Sequence, residues 1–136
     1  MAIPSGSGSE VLKNASILAF SGSSNDPWAV NWGAETTSQN ETHAVPTNHI
    51  ITVLSFSFCN THATNGYMFN LMVKLNGGSS YKFILNSQLV AAKETFVWND
   101  KIVLHPADRL LFDDPSTDGG DDADIVISYI DQNWEN

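Results

Sequence analysis

The chain has 136 residues, with 15 acidic and 6 basic side chains and a net charge of −9. This length suits one domain whose core needs neither a disulfide nor a metal. The acidic balance argues against binding to nucleic acid or to anionic membranes, because both depend on Lys and Arg. No stretch reaches the roughly 18 apolar residues of a membrane span.

The beginning of the chain is rich in Ser and Gly and has neither a basic start nor a continuous apolar run. It therefore does not resemble a signal peptide. This composition predicts a flexible arm over residues 1–10, followed by one β-sandwich domain over residues 11–136.

Apolar and polar residues then alternate with period two, interrupted by Gly, Pro, Asn and Asp, which predicts short strands joined by turns. The predicted strands cover residues 11–20, 28–32, 49–59, 67–75, 80–85, 94–98, 101–104, 108–113 and 123–130. Residues 33–48 form a long polar loop, of a kind that often contacts a partner. Residues 87–93 suit a single helical turn. About eight antiparallel strands without a long helix indicate an all-β, jelly-roll-like sandwich.

The alternation also predicts which side chains face the core. Trp28, Val30 and Trp32 fall on one face of their segment. The even positions of residues 49–59 and the odd positions of residues 67–75 are apolar, so each set is expected to point inward.

The last third of the chain contains Glu94-Thr-Phe-Val-Trp98, then Leu104-His-Pro-Ala-Asp-Arg-Leu110, then Ile125-Val-Ile-Ser-Tyr129. This series resembles the small β-sandwich virion proteins of tailed bacteriophages, especially those of cyanobacterial and other marine hosts. The resemblance covers about residues 49–130. The acidic stretch at residues 113–124 is longer than the short turn usual in such proteins.

The resemblance implies a non-enzymatic structural protein located in the virion, which is assembled in the host cytoplasm. A capsid cement or decoration protein is the first expectation, and a tail, neck or fibre-attachment module is the alternative. The implied partners are the major capsid protein or other virion proteins, and the implied state is a homo-oligomer, a trimer before a dimer. Met68, Met72 and Ile84 lie opposite the better apolar faces and are candidates for the subunit contact.

Residues 113–124 hold six of the acidic side chains. The spacing of Asp114, Asp118 and Asp122 begins like a Ca²⁺ loop. The twelfth position is Ile125, where such a loop needs a bidentate Glu. The favoured interpretation is a solvated loop that projects from the core, with no metal and no cofactor.

The remaining reactive side chains form no recognisable catalytic motif. The histidines lack the spacing of metal ligands: His43, His49, His62 and His105. Cys59, the only cysteine, lies in an apolar strand, which predicts a buried thiol. No catalytic residue and no enzymatic activity are therefore predicted.

Exposed tryptophans would favour a different class of protein, a carbohydrate-binding module. The chain has four of them: Trp28, Trp32, Trp98 and Trp134. Sugar rings stack on aromatic faces, but core packing is the more common role of Trp, so this class stays the less favoured alternative.

Overall fold

The structure, a computed structural model, describes residues 9–21, 26–76, 78–115 and 123–134. These residues form ten strands and contain no helix. The strands are β1 (Ser9–Phe20), β2 (Trp28–Ala29), β3 (Glu35–Thr36), β4 (His49–Asn60), β5 (Tyr67–Lys74), β6 (Lys82–Val90), β7 (Thr95–Trp98), β8 (Ile102–Leu104), β9 (Arg109–Asp113) and β10 (Ala123–Asn133). The predicted arm stays a prediction, since residues 1–8 lie outside the described residues.

The strands form two sheets that pack face to face. The first sheet has the order β3-β1-β10-β4-β7, with β8 also paired to β4, and the second has the order β2-β9-β5-β6. The first and last long strands, β1 and β10, pair with each other inside the first sheet. Strands that neighbour in space but not in sequence are the mark of Greek-key connections, two of which make a jelly roll. The predicted all-β, jelly-roll-like sandwich is confirmed.

Aromatic side chains from both sheets fill the space between them. The largest buried ones are Phe20, Phe56, Phe58, Tyr67, Phe69, Phe112 and Tyr129. Phe58 of β4 stacks on Phe69 of β5 with ring centroids 4.1 Å apart. Because each aromatic ring buries a large apolar area, this cluster is the main contact between the sheets.

The alternation predicted for β4 is interrupted by a β-bulge. Inward residues are odd-numbered before Leu54 and even-numbered after it: Ile51, Val53, Phe56 and Phe58. The pairing of β4 with β10 shifts register at the same place. A bulge inserts one residue and so exchanges the two faces of the strand. The prediction that the even positions share one face is therefore wrong, and Ile50 and Thr52 point outward.

Other local predictions have mixed outcomes. The odd positions of β5 point into the core, and Trp28, Val30 and Trp32 also pack there. The helical turn predicted at residues 87–93 is wrong, because β6 continues to Val90. At Ser87 the backbone has a positive φ of 57°. Its N–H donates to Asn70 Oδ1 at 2.7 Å, which satisfies the irregular pairing between β5 and β6.

The segment that contributes most to the resemblance, residues 104–110, folds as a tight turn. Asp108 is buried, and its carboxylate accepts hydrogen bonds from the backbone N–H groups of His105 and Asn76, both at 2.9 Å. Ala107 has a φ of 71°. Val45, from the long loop, exchanges backbone hydrogen bonds with this turn. These residues therefore have a structural role, which is to join two loops at one end of the sandwich.

Candidate interaction surfaces

The outward side of the first sheet carries three rows of residues that cross neighbouring strands. Pairing across β1, β10, β4, β7 and β8 defines this surface, called here the open face: Leu12, Ile130, Thr52 and Val103; Asn14, Ser128 and Ser55; Ser16, Val126, Ser57 and Val97. No residue of the open face is charged. Glu10 and Asp124 lie in the rows beyond its two ends.

Large apolar side chains of the open face are exposed to solvent. Leu12 is 70% exposed, Val97 55%, Val103 53% and Val126 47%. Scattered exposed apolar residues are normal, but a contiguous apolar patch marks an interaction site. The four residues lie in the first and third rows, and the polar row of Asn14, Ser128 and Ser55 separates them. The open face is therefore a candidate interface that combines exposed apolar side chains with uncharged polar ones.

The outward side of the second sheet has a corresponding row, Ala29, Leu111, Met72 and Phe83. The first three are fully or almost fully buried and form a small cluster against Tyr81. Phe83 at the end of the row is 54% exposed. Most of this row is therefore already covered by the chain itself.

The cover of this row consists of Tyr81 and the neighbouring loop residue Glu41, and polar contacts hold it in place. The hydroxyl of Tyr81 donates to Glu41 Oε2 at 3.0 Å, and Nη1 of Arg109 donates to the backbone oxygen of Glu41 at 3.0 Å. Lys74 Nζ lies 5.2 Å from the centre of the Tyr81 ring. Burial, followed by the hydrogen bond to Glu41, raises the pKa of the Tyr81 hydroxyl.

A groove of about 720 Å³ remains beside this cover. Its lining consists of Pro27, Glu41, Asn70, Met72, Ser79, Ser80, Tyr81, Phe83, Asp113 and Pro115. The second sheet supplies Asn70, Met72, Phe83 and Asp113, whereas Glu41 and Tyr81 come from loops. The groove thus combines apolar and acidic groups.

Asp113 is the unusual residue of the groove. Its side chain is 6% exposed, and Oδ1 has no hydrogen-bond partner. Burial raises the pKa of this carboxyl group above its ordinary value, the neighbouring Asp114 adds to the increase, and the amide of Asn70 opposes it. A desolvated carboxylate with an unpaired oxygen costs stability, and such groups are concentrated at functional sites.

A second polar cluster lies at the other sheet. Asp131 of β10 is buried and contacts both Lys13 Nζ at 2.9 Å and His49 Nδ1 at 2.6 Å. The hydrogen bond to Asp131 raises the pKa of Lys13, and burial opposes this change. The cluster joins β1, β4 and β10, so it has a structural explanation as a cross-strand tie.

Trp32 and Tyr129 meet near this cluster with ring centroids 4.9 Å apart. The indole nitrogen of Trp32 and the hydroxyl of Tyr129 are both buried without a hydrogen-bond partner. Burial raises the pKa of the Tyr129 hydroxyl. Buried polar atoms of this kind are often bridged by internal water.

Several residues singled out in the sequence have structural roles. Trp28 is 5% exposed and Trp32 packs against the core, so neither offers a free ring to a sugar. Nδ1 of His62 accepts hydrogen bonds from the backbone N–H groups of Thr64 and Asn65. In the part of the chain described, no three of the His, Cys, Asp and Glu side chains converge on one site.

Cys59 is half-buried, not buried as predicted. After the bulge the even positions of β4 point inward, so Asn60 is buried and Cys59 points outward. The apolar composition of the strand was therefore a poor guide to the direction of the thiol. Asn60 in turn donates to the backbone oxygens of Asn65 and Val90, at 2.9 and 3.1 Å.

The predicted metal candidates are only partly described. Asp114 is 3% exposed, whereas Asp118 and Asp122 lie outside the described residues. Within residues 9–21, 26–76, 78–115 and 123–134, no cluster of three potential metal ligands occurs. Asp113 and Asp114 are buried, so the expectation of a fully solvated acidic stretch is wrong at its first two residues.

The subunit contact predicted for the second sheet is also largely wrong. Met72 is 2% exposed, and Ile84 packs against the main core. Only Met68, at 38%, keeps an exposed side chain. Sequence reasoning missed the open face because the bulge in β4 hides its pattern.

No family model and no curated protein matches the sequence. Among solved structures, a chain of the infectious bursal disease virus Gx strain is 8% identical with a TM-score of 0.48, over 96% of this chain and 34% of that one. The globular domain of the zebrafish complement 1qA protein is 9% identical with a TM-score of 0.41, over 85% of this chain and 94% of that one. This chain spans about a third of the viral chain. Likenesses at these identities concern the fold alone.

The described residues contain no helix long and apolar enough to cross a membrane. The class of protein that the fold defines is a jelly-roll-like β-sandwich. Its outward surfaces comprise an uncharged face with exposed apolar residues on one sheet and an acidic groove on the other. Both arrangements suit binding, which depends on shape and charge complementarity.

Proposed function

We propose that this protein is a non-enzymatic structural protein of a tailed-phage virion, a cement or decoration protein that stabilises the capsid. The observation that carries the proposal is the open face, where Leu12, Val97, Val103 and Val126 expose apolar surface on a rigid sheet. A cement protein needs a stable module with a surface ready to be covered, and this face meets the requirement. The resemblance of about residues 49–130 to phage virion proteins supports the same role.

The size of the open face indicates how it is used. Three rows across four strands cover roughly 300–400 Å², from the usual spacings within a sheet. A stable interface buries about 800 Å² on each partner. The open face alone would therefore give a weak contact, and burial of its rim or several simultaneous contacts in a particle would strengthen it.

The partner at the open face is proposed to be a second copy of the same chain. Copies with a net charge of −9 repel one another, and the repulsion is smallest where no charged residue is present. Burial of apolar area contributes about 25 cal/mol per Å². Closed symmetry is the rule for such assemblies. A trimer is favoured over a dimer by the resemblance to phage decoration modules.

The location in the particle is tested by counting copies. Quantitative mass spectrometry of purified particles should give hundreds of copies for a capsid cement protein. A handful of copies would identify the alternative, a tail, neck or fibre-attachment module. Absence of the protein from purified particles would reject the virion role altogether.

Self-association is tested with Leu12→Glu, which places a charge at the most exposed apolar residue of the open face. Sedimentation of the wild-type chain should show an oligomer whose population rises with concentration, and the variant should stay monomeric. Leu89→Glu is the matched control, because Leu89 is exposed to a similar degree, 62%, but lies on the other sheet. An equal effect of both variants would contradict the assignment of the face.

A further inference from the structure

The groove on the second sheet has an apolar side and an acidic side. Met72, Tyr81 and Phe83 contribute apolar and aromatic groups to its lining. The Phe83 side chain is 54% exposed, so an aromatic surface is available to a bound group. Asp113 and Glu41 provide the acidic side.

The two carboxylates are not neutralised by cations of the described residues. Arg109 approaches Glu41 but donates to its backbone oxygen, and Lys74 lies against the Tyr81 ring. Among the residues described, neither Asp113 nor Glu41 forms a salt bridge. The unpaired Oδ1 of the nearly buried Asp113 is therefore an independent sign that the groove lacks a partner group.

The chemistry of the lining discriminates between classes of ligand. A sugar offers hydroxyl groups, which donate hydrogen bonds but leave the charge of a desolvated carboxylate in place. A guanidinium group carries a positive charge, donates hydrogen bonds in a planar fork and stacks on aromatic rings. Of the two ligands, only the guanidinium matches both the acidic and the aromatic side.

We propose that this groove binds the side chain of an arginine from a partner protein, with Asp113 as the acidic anchor and Phe83 as the stacking surface. Asn70, which pairs with Asp113 across β5 and β9, lies beside the anchor in the lining of the groove. The net charge of −9 also attracts a basic partner at long range, before any contact with the groove is made. This inference goes beyond the virion role and can be tested on the isolated chain.

The test is a titration of the full chain with N-acetyl-L-arginine amide, followed by NMR of the backbone amides. Chemical-shift changes should centre on the groove, and the matched neutral probe, N-acetyl-L-citrulline amide, should bind at least about tenfold more weakly. Citrulline has almost the same shape as arginine but no charge. Equal affinity for both probes, or shift changes away from the groove, would overturn the proposal.

Two variants locate the anchor. Asp113→Asn keeps the shape of the side chain and should weaken the arginine probe by about tenfold or more, while an unchanged spectrum elsewhere shows that the fold is intact. Asp100→Asn removes the same charge from an exposed position outside the groove and should leave affinity unchanged. Binding that survives Asp113→Asn would reject the anchor.

Saturable binding of neutral methyl glycosides in place of the arginine probe would assign the groove to sugars and overturn the proposal.

The result of the arginine titration does not depend on where the protein is located. The copy number in particles can identify a capsid protein, a tail protein or a protein absent from the particle, whichever probe binds the groove. Failure of the titration would therefore leave the virion role standing, and failure of the copy-number experiment would leave the groove assignment standing.

Discussion

Each sheet has a row of residues on its outward side, but one row is exposed and the other is mostly buried. On the first sheet, Leu12, Ile130, Thr52 and Val103 cross four strands with nothing over them in the described structure. On the second, Ala29, Leu111 and Met72 cross three strands and are buried against Tyr81. The difference shows that outward apolar residues on a sheet need a cover, which either the chain or a partner supplies.

The cover on the second sheet depends on a few polar contacts. Tyr81 and Arg109 both bind Glu41, which belongs to the long loop at residues 33–48. The backbone oxygen of Asn40 in the same loop accepts a hydrogen bond from Ala29. No equivalent loop crosses the open face in the described part of the chain, which is why the two faces are proposed to have different partners.

The largest effect expected from this comparison is on Met72. Met72→Ala removes a side chain that is 2% exposed and should reduce the free energy of unfolding by about 2–5 kcal/mol. Met68→Ala is the matched control, because Met68 lies on the same face of the same strand but is 38% exposed. Its effect should stay within about 0.5 kcal/mol.

Urea denaturation of both methionine variants measures the difference. A loss at Met68 as large as the loss at Met72 would mean that the second sheet is covered along its whole length. Equal small losses would mean that the cover formed by Tyr81 is not rigid.

A smaller effect, of opposite sign, is expected at Asp113. Burial raises the pKa of this carboxyl group in the folded protein above the ordinary value of 3.8. Between the ordinary and the raised pKa the folded chain binds more protons than the unfolded chain, so stability falls as pH rises through this window. Asp113→Asn removes the ionisable group and should therefore raise the free energy of unfolding at neutral pH.

The gain from Asp113→Asn should disappear well below pH 3.8, where Asp113 is protonated in both states. Denaturation curves of wild type and variant across this pH range provide the measurement. Asp100→Asn, at an exposed position, should show no such pH-dependent gain. A loss of stability at neutral pH would show that the charge of Asp113 is compensated in the free protein. A more stable variant that no longer binds arginine would link the cost to function.

Alternation made the overall fold predictable, because the inward positions of β5 and β10 recur with period two. Positions at the irregularities were not predictable. The bulge at Leu54 leaves no mark in composition, yet it reverses the direction of every later residue of β4. The predicted even-inward pattern consequently holds after the bulge and fails before it, at Ile50 and Thr52.

The groove was hidden from the sequence for a different reason. Its acidic residues, Glu41 and Asp113, are far apart in the chain, and only the long loop brings them to the same face. Asn70 was the available signal, as a polar residue flanked on both sides by apolar residues of β5. A buried Asn in such a strand requires partners, and here they are the N–H of Ser87 and the neighbourhood of Asp113.

The smallest expected effect is a change in the rate at which Cys59 is labelled, which tests the open face without any change in stability. Cys59 is half-buried on the outward side of β4, next to Thr95 of β7 and one row beyond the open face. A thiol reacts according to its access to solvent and reagent. Labelling of the native chain by a thiol reagent should therefore proceed in dilute solution. It should slow by about threefold or more at concentrations where the copies associate, since bound copies exclude the reagent.

In Leu12→Glu, which prevents association, the rate should not depend on protein concentration. A wild-type rate that is also independent of concentration, in solutions where sedimentation shows an oligomer, would place the contact between copies on another surface and leave the open face for a different partner.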